Sequence, residues 1–228
     1  MPSADVVGYR RVLVWEYPVL LYHWINFACV AVLATTGYLI GTPIALAASG
    51  EAYQQYWFGT VRLAHFIAAF VFFFNLLIRL YWGFVGNRYA RLRGWLPVGS
   101  ERWREIGDVL RVDVLQARVE RPISLGHNAL AAPVYLLVFL ASLFQAATGF
   151  ALYSGMSHSY VPRLFAWVVP LMGGDFAVRQ WHHAAMWLFV VFAIVHVYLV
   201  FYHDYVEGRG TVSSMASGWK FEREDAPR

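Results

Sequence analysis

The chain has 228 residues, 59% of them hydrophobic and only 14% charged, against roughly 45–50% and about 25% in a soluble domain. Its mean hydropathy is +0.48, which excludes a disordered tail and a water-soluble enzyme. The formal net charge of +4 does not mark a nucleic-acid partner, because the positive residues cluster between apolar blocks as they do in membrane proteins.

Four apolar stretches are long enough to span a hydrocarbon core of roughly 30 Å, which takes about 20 helical residues. In chain order they are 18–40, 63–84, 129–153 and 181–203. The first, third and fourth carry no Asp, Glu, Lys or Arg, and the second carries only Arg79. All are apolar on every face, so they read as helices, whose backbone groups are satisfied internally. The expected fold is an all-α integral membrane protein, a four-helix transmembrane bundle forming one membrane domain over 1–228. The first stretch is too long, and with His23, Trp24 and Asn26 too polar, for a cleaved signal peptide. A fifth apolar piece, Leu164–Met172, is too short to span and is expected at the membrane interface. No internal repeat is evident.

Lys and Arg counts give the orientation. The N-terminal tail, the loop 85–128 and the C-terminal tail carry fourteen of them, against Arg62, Arg163 and Arg179 on the opposite side. Both termini and the loop are therefore expected to be cytoplasmic. Within the loop, Glu101–Arg121 reads as a short surface helix.

The single cysteine, Cys29, leaves no route to an intrachain disulfide, a Cys-based zinc site, a four-thiolate iron–sulfur cluster or a covalently attached c-type haem. Redox or metal chemistry must rest on the eight histidines. One intramembrane His is ordinarily a hydrogen-bonded group between helices. Several at matched depths point to function. His23 and His196 fall toward the cytoplasmic face, and His65 and His182 toward the periplasmic face. His182 and His196 are fourteen residues apart, about 21 Å along a helix and nearly on one face. Two sites stacked across the membrane, each taking a His from two helices, is the geometry of two noncovalent bis-histidine b-type haems.

Fourteen residues after His23 comes Gly37, at the depth of the periplasmic site, where a glycine lets a porphyrin approach the backbone or lets helices pack closely. Fourteen after His65 comes Arg79, at the depth of the cytoplasmic site. It either pairs with a haem propionate or snorkels to the interface. His183 points away from the His196 face, and His203 lies at the membrane edge. His127 reads as an interfacial or quinone-side residue and His158 as a solvated one. A quinone site near the cytoplasmic haem has Glu16, His127, His203, Asp204 and Tyr205 as lining candidates by position.

With the histidines placed, the chain resembles the b-type cytochrome subunit of membrane-bound [NiFe] hydrogenases, the bacterial di-haem cytochrome b family. The matching pieces are Trp15-Glu16-Tyr17-Pro18, Tyr22-His23-Trp24, Arg62-Leu63-Ala64-His65-Phe66, Arg79-Leu80-Tyr81-Trp82 and Gly86-Asn87-Arg88-Tyr89. They continue through Gly126-His127-Asn128, Thr148-Gly149-Phe150-Ala151-Leu152-Tyr153, Trp181-His182, Met186-Trp187, His196-Val197-Tyr198, Val212-Ser213-Ser214-Met215 and Gly218-Trp219. Their order along nearly the whole chain is more specific than any single piece.

The resemblance implies axial ligands at His23, His65, His182 and His196. It implies an electron-transfer subunit in the bacterial inner membrane that anchors the small and large hydrogenase subunits, partly through a transmembrane helix of the small subunit. Electrons would pass from periplasmic H₂ oxidation through the His65/His182 haem and the His23/His196 haem to membrane quinone. The chain would be part of a hydrogen:quinone oxidoreductase without cleaving H₂ itself. The nearest alternative is the cytochrome b subunit of another respiratory complex, such as formate dehydrogenase or thiosulfate reductase. A His-lined transporter is disfavoured by the absence of intramembrane carboxylates, and a haem-free anchor by the paired depths.

Overall fold

The computed structural model describes residues 8–44, 56–92, 103–104, 106–107, 131–208 and 210–223. Among them four helices are long and apolar enough to cross a membrane: α1 (Tyr17–Gly41), α2 (Trp57–Val85), α3 (Ala131–Ser154) and α6 (Asp175–Glu207). Of two single-turn helices, α4 (Tyr160–Arg163) precedes the short apolar piece and α5 (Val168–Leu171) lies within it, and α7 (Thr211–Ser217) follows α6. A third or less of each spanning window is buried inside the protein. Side chains such as Leu63, Ile67, Phe84, Ile194 and Phe201 stand exposed along these helices. Apolar faces that extensive need an apolar solvent, and the protein is a multi-pass membrane protein.

Helices α1, α2 and α6 outrun their apolar stretches at both ends. Arg62 lies inside α2, and Arg179 lies inside α6, because a helix continues past the hydrocarbon edge while its apolar window stops at the first charge. The turn into α6 is made by Gly173 (φ 90°) and Gly174 (φ 108°), a backbone region that side chains with a Cβ rarely adopt. Asp175 then stands in the first turn of α6, where its charge suits the helix N-terminus. The loop helix expected over Glu101–Arg121 falls mostly outside the described residues, of which 103–104 and 106–107 are helical.

The chain divides into two compact units. The first comprises 1–21, 79–138 and 196–228. It contains an element absent from the all-helical expectation, a two-stranded antiparallel sheet of β1 (Tyr9–Leu13) and β2 (Trp219–Arg223). The register runs from Tyr9↔Arg223 to Leu13↔Trp219. Arg10 pairs with Glu222 at 2.6 Å, and the Arg11 guanidinium lies over the Trp219 ring at 4.8 Å. Gly218, at φ 83°, ends α7 and offers its carbonyl to Val14 N and Trp15 N at 2.9 and 3.0 Å. Segments near the two ends of the chain are thus hydrogen-bonded to each other.

Beneath the sheet, Val14, Trp15 and Leu20 form a core with Val12, Val19, Tyr89 and Met215. Glu16 sits beside that core. Its Oε2 accepts from Trp82 Nε1 and from the Asn87 backbone N, both at 2.9 Å. Asn87 in turn donates through Nδ2 to Val14 O at 3.0 Å and accepts from Tyr89 N and Ala90 N at Oδ1. Arg79 is 4% exposed and donates through Nη2 to Ala90 O at 2.9 Å. It is therefore buried against the protein and tied to a loop carbonyl.

The second unit comprises 22–78 and 139–195. Its packing is aromatic: Phe150 meets Phe70 and Phe73 at ring separations of 5.1 Å and stacks on Phe165 at 5.6 Å. Phe165 lies between α4 and α5, so the short apolar segment contributes directly to this core. Asn75 satisfies its amide by donating to Tyr22 O at 3.0 Å.

Candidate functional site: a histidine-lined cavity

The second unit contains an open cleft of about 930 Å³, near the upper end of the roughly 300–1,000 Å³ of small-molecule and cofactor pockets. Its wall is mainly apolar and includes Leu33, Phe66, Phe70, Phe150 and Met186. Four helices furnish it: α1 with Gly37 and Gly41, α2 with Arg62 and His65, α3 with Gln145 and Gly149, and α6 with Arg179, His182 and His183.

Three of the residues singled out in the sequence meet here: His65, His182 and Gly37. A Cβ on Gly37 would lie 3.4 Å from His65 Cε1. The glycine therefore lets the His65 ring lie close against α1. Gly149 has the same relation to the other ring, with a Cβ position only 3.1 Å from His182 Cε1. Each ring is also tied by one hydrogen bond. Thr36 Oγ1 is 2.8 Å from His65 Nδ1, and Thr148 Oγ1 is 2.8 Å from His182 Nδ1. Thr148 is wholly buried. With Nδ1 of each ring engaged, Nε2 is the nitrogen left to bind a metal.

His23 lies on α1 and His196 on α6, both half-buried, in different compact units. Arg79 belongs to the hydrogen-bonded corner of the first unit described above. Glu16 is engaged there by Trp82 and Asn87. Asp204 accepts from Val212 N at 3.2 Å, Tyr205 is exposed, and His203 is half-buried with its ring edge against Tyr202. His158 is exposed, with Nδ1 3.4 Å from Arg163 Nη2. His127 lies outside the described residues. His183, set aside on helical phase against His196, lines the cavity nonetheless, with its ring 3.0 Å from where a Gly41 Cβ would stand. Sequence reasoning also missed Thr36, Thr148, Gly149, Arg62, Arg179 and Gln145.

Among the described residues, no group of three or more His, Cys, Asp or Glu side chains is arranged to hold a bare metal ion. Haem iron needs only two protein ligands, because the porphyrin supplies the other four. The cavity fits such a group in other respects. Phenylalanines suit a flat apolar ring system, and two glycines keep the backbone close. Arg62 and Arg179 supply cations for carboxylates. The Gln145 Oε1 atom, buried in the wall, has no hydrogen-bond partner among the described residues. A multi-pass helical membrane protein with this donor set is chemically suited to hold a noncovalent haem.

The comparisons with known proteins specify the family. The model of the prokaryotic cytochrome b561 family matches residues 14–218, and the chain belongs to that family. Haem b is accordingly its cofactor. The chain is 41% identical over 216 residues to the probable Ni/Fe-hydrogenase B-type cytochrome subunit of Cupriavidus necator, covering 92% of this chain and 87% of the relative. It is 39% identical over 220 residues to the protein of the same description from Azotobacter vinelandii, covering 95% and 91%. It is 38% identical over 223 residues to the probable Ni/Fe-hydrogenase 1 B-type cytochrome subunit of Escherichia coli K12, covering 96% and 93%.

Proposed function

We propose that this chain is the di-haem b subunit of a [NiFe] hydrogenase in the bacterial inner membrane. In this reading it anchors the hydrogenase small and large subunits and passes their electrons to membrane quinone. The observation that carries it is the cavity where His65 and His182, from two different helices, share an apolar chamber with Nδ1 of each ring engaged. The descriptions of the relatives support the hydrogenase as partner.

Residue roles follow. His65 and His182 hold the periplasmic haem iron, and Gly37 and Gly149 leave room for their rings. The phenylalanine wall supplies apolar contact for the porphyrin, and Arg62 and Arg179 neutralise propionates. His23 and His196 hold the second, cytoplasmic haem, on the strength of their matched depth and the family pattern, and Arg79 pairs with its propionate. When bound, haem b supplies a one-electron carrier. The fourteen cationic residues flanking the spans support cytoplasmic termini.

Purification of the tagged chain from native membranes, followed by exposure to H₂, tests the partner. Co-purification of both hydrogenase subunits and reduction of the b-type bands by H₂ are expected. Co-purification of a formate dehydrogenase, with reduction by formate and not by H₂, would move the chain to the other respiratory class.

A further inference from the structure

We propose that Thr36 and Thr148 are positioning residues that fix His65 and His182 for coordination through Nε2 and lower the reduction potential of the iron between them. The inference rests on the haem reading of the cavity and extends it to residues that touch neither iron nor porphyrin.

A threonine hydroxyl has one hydrogen and two lone pairs. Thr36 Oγ1 lies 2.6 Å from Val32 O, and Thr148 Oγ1 lies 2.8 Å from Phe144 O. We assign each hydroxyl hydrogen to the carbonyl of the preceding turn of its own helix, the usual back-bond of an intrahelical threonine. The hydroxyl oxygen can then only accept from the imidazole nitrogen 2.8 Å away. On that assignment Nδ1 of His65 and of His182 carries the hydrogen. A neutral imidazole has one N–H, so Nε2 keeps its lone pair for a metal.

The arrangement occurs twice with the same parts. Thr36-Gly37 on α1 serves His65 on α2, and Thr148-Gly149 on α3 serves His182 on α6. In both, the residue after the threonine lacks a Cβ where the ring must pass, at 3.4 and 3.1 Å. The dipeptide acts as a unit: its hydroxyl holds the ring and its glycine admits it. Both threonines use the same back-bond to the carbonyl four residues earlier. Two independent helices converging on one geometry is more than helix packing requires. An acceptor on Nδ1–H makes the ring a stronger donor to iron, which stabilises the ferric state and lowers the potential.

The test uses the full-length haem-loaded protein in detergent, with Thr148→Val, Thr36→Val and the matching serine variants, and reads haem content together with an optical redox titration. The valine variants are expected to raise the midpoint potential of one haem, or to weaken its binding roughly 10–100-fold, while the other haem is unmoved. The serine variants are expected to match the parent. Wild-type potentials and haem content in both valine variants would overturn the inference. So would equal losses in the serine and valine variants, because the hydroxyl would then not decide the effect. His182→Ala separates the two levels. If it removes no haem, the haem reading of the cavity fails; if it removes one and the valine variants are silent, only the threonine role fails.

Discussion

Replacing Gly149 by alanine sets two effects of opposite sign against each other. Gly149 lies inside α3, and alanine there favours the helix by roughly 0.8–1 kcal/mol. The added Cβ would stand 3.1 Å from His182 Cε1, so the ring must retreat by a few tenths of an ångström. It is not free to do so. Its Nδ1 is held at 2.8 Å by Thr148, whose side chain is fully buried and bonded to Phe144 O. The ring must tilt about that tether or break it, and either change re-aims Nε2. Disturbing the groups that orient a ligand typically costs 10–100-fold in metal affinity, or about 1.4–2.7 kcal/mol. Gly59→Ala is the control, because a Cβ there meets nothing within 4 Å and brings the helix gain alone. The assay is haem loss to an excess of a haem scavenger, read alongside thermal unfolding in detergent. Gly149→Ala is expected to lose one of its haems about 10–100-fold more readily with unfolding unchanged or later, and Gly59→Ala to behave as the parent does. Parental haem retention in Gly149→Ala would refute the tether reasoning.

Three further outcomes follow from the packing. Glu16→Ala strands the Trp82 indole N–H and the Asn87 amide, and is expected to cost about 2–4 kcal/mol of stability; Glu16→Gln, which keeps an acceptor, costs about 1 kcal/mol, and both are read by thermal unfolding. Phe150→Ala removes the ring that Phe70, Phe73 and Phe165 all meet, for a loss of about 3–5 kcal/mol in detergent unfolding. Arg79→Leu is expected to move the potential of the haem assigned to His23 and His196 and to spare the other; unchanged potentials at both would confine Arg79 to holding the Ala90 carbonyl.

The four spanning helices were legible because lipid demands apolar side chains on every face, which leaves an unbroken signal. Their ends were less so: hydropathy stops at Arg62 and Arg179, whereas hydrogen bonding continues through them. The sheet of β1 and β2 was invisible for a different reason. Each strand has five residues, carries charges, and finds its partner at the opposite terminus of the chain, where no local pattern can announce the pairing. His65, His182 and Gly37 could be brought toward one depth by helical arithmetic because rise and span direction fix depth. Thr36, Thr148 and Gly149 escaped that arithmetic, since a threonine inside an apolar helix looks like any back-bonded hydroxyl. A signal was present in Ala34-Thr35-Thr36-Gly37-Tyr38 and Ala146-Ala147-Thr148-Gly149-Phe150. It is a short repeat, too brief to register as an internal duplication, and it gains meaning only beside the histidines. His183 was set aside by measuring phase against His196, although the cavity it lines belongs to the other end of α6's sequence.

The most direct measurement is haem content per chain with a reduced-minus-oxidised spectrum, made on the purified parent and on His23→Ala, His65→Ala, His182→Ala and His196→Ala. Two b-type haems are expected in the parent. His65→Ala and His182→Ala should each remove the same one, and His23→Ala and His196→Ala the other. A haem that survives both His65→Ala and His182→Ala, or a crossed pattern in which His23→Ala and His182→Ala remove the same haem, would contradict the assignment of the cavity and of the conduit built on it.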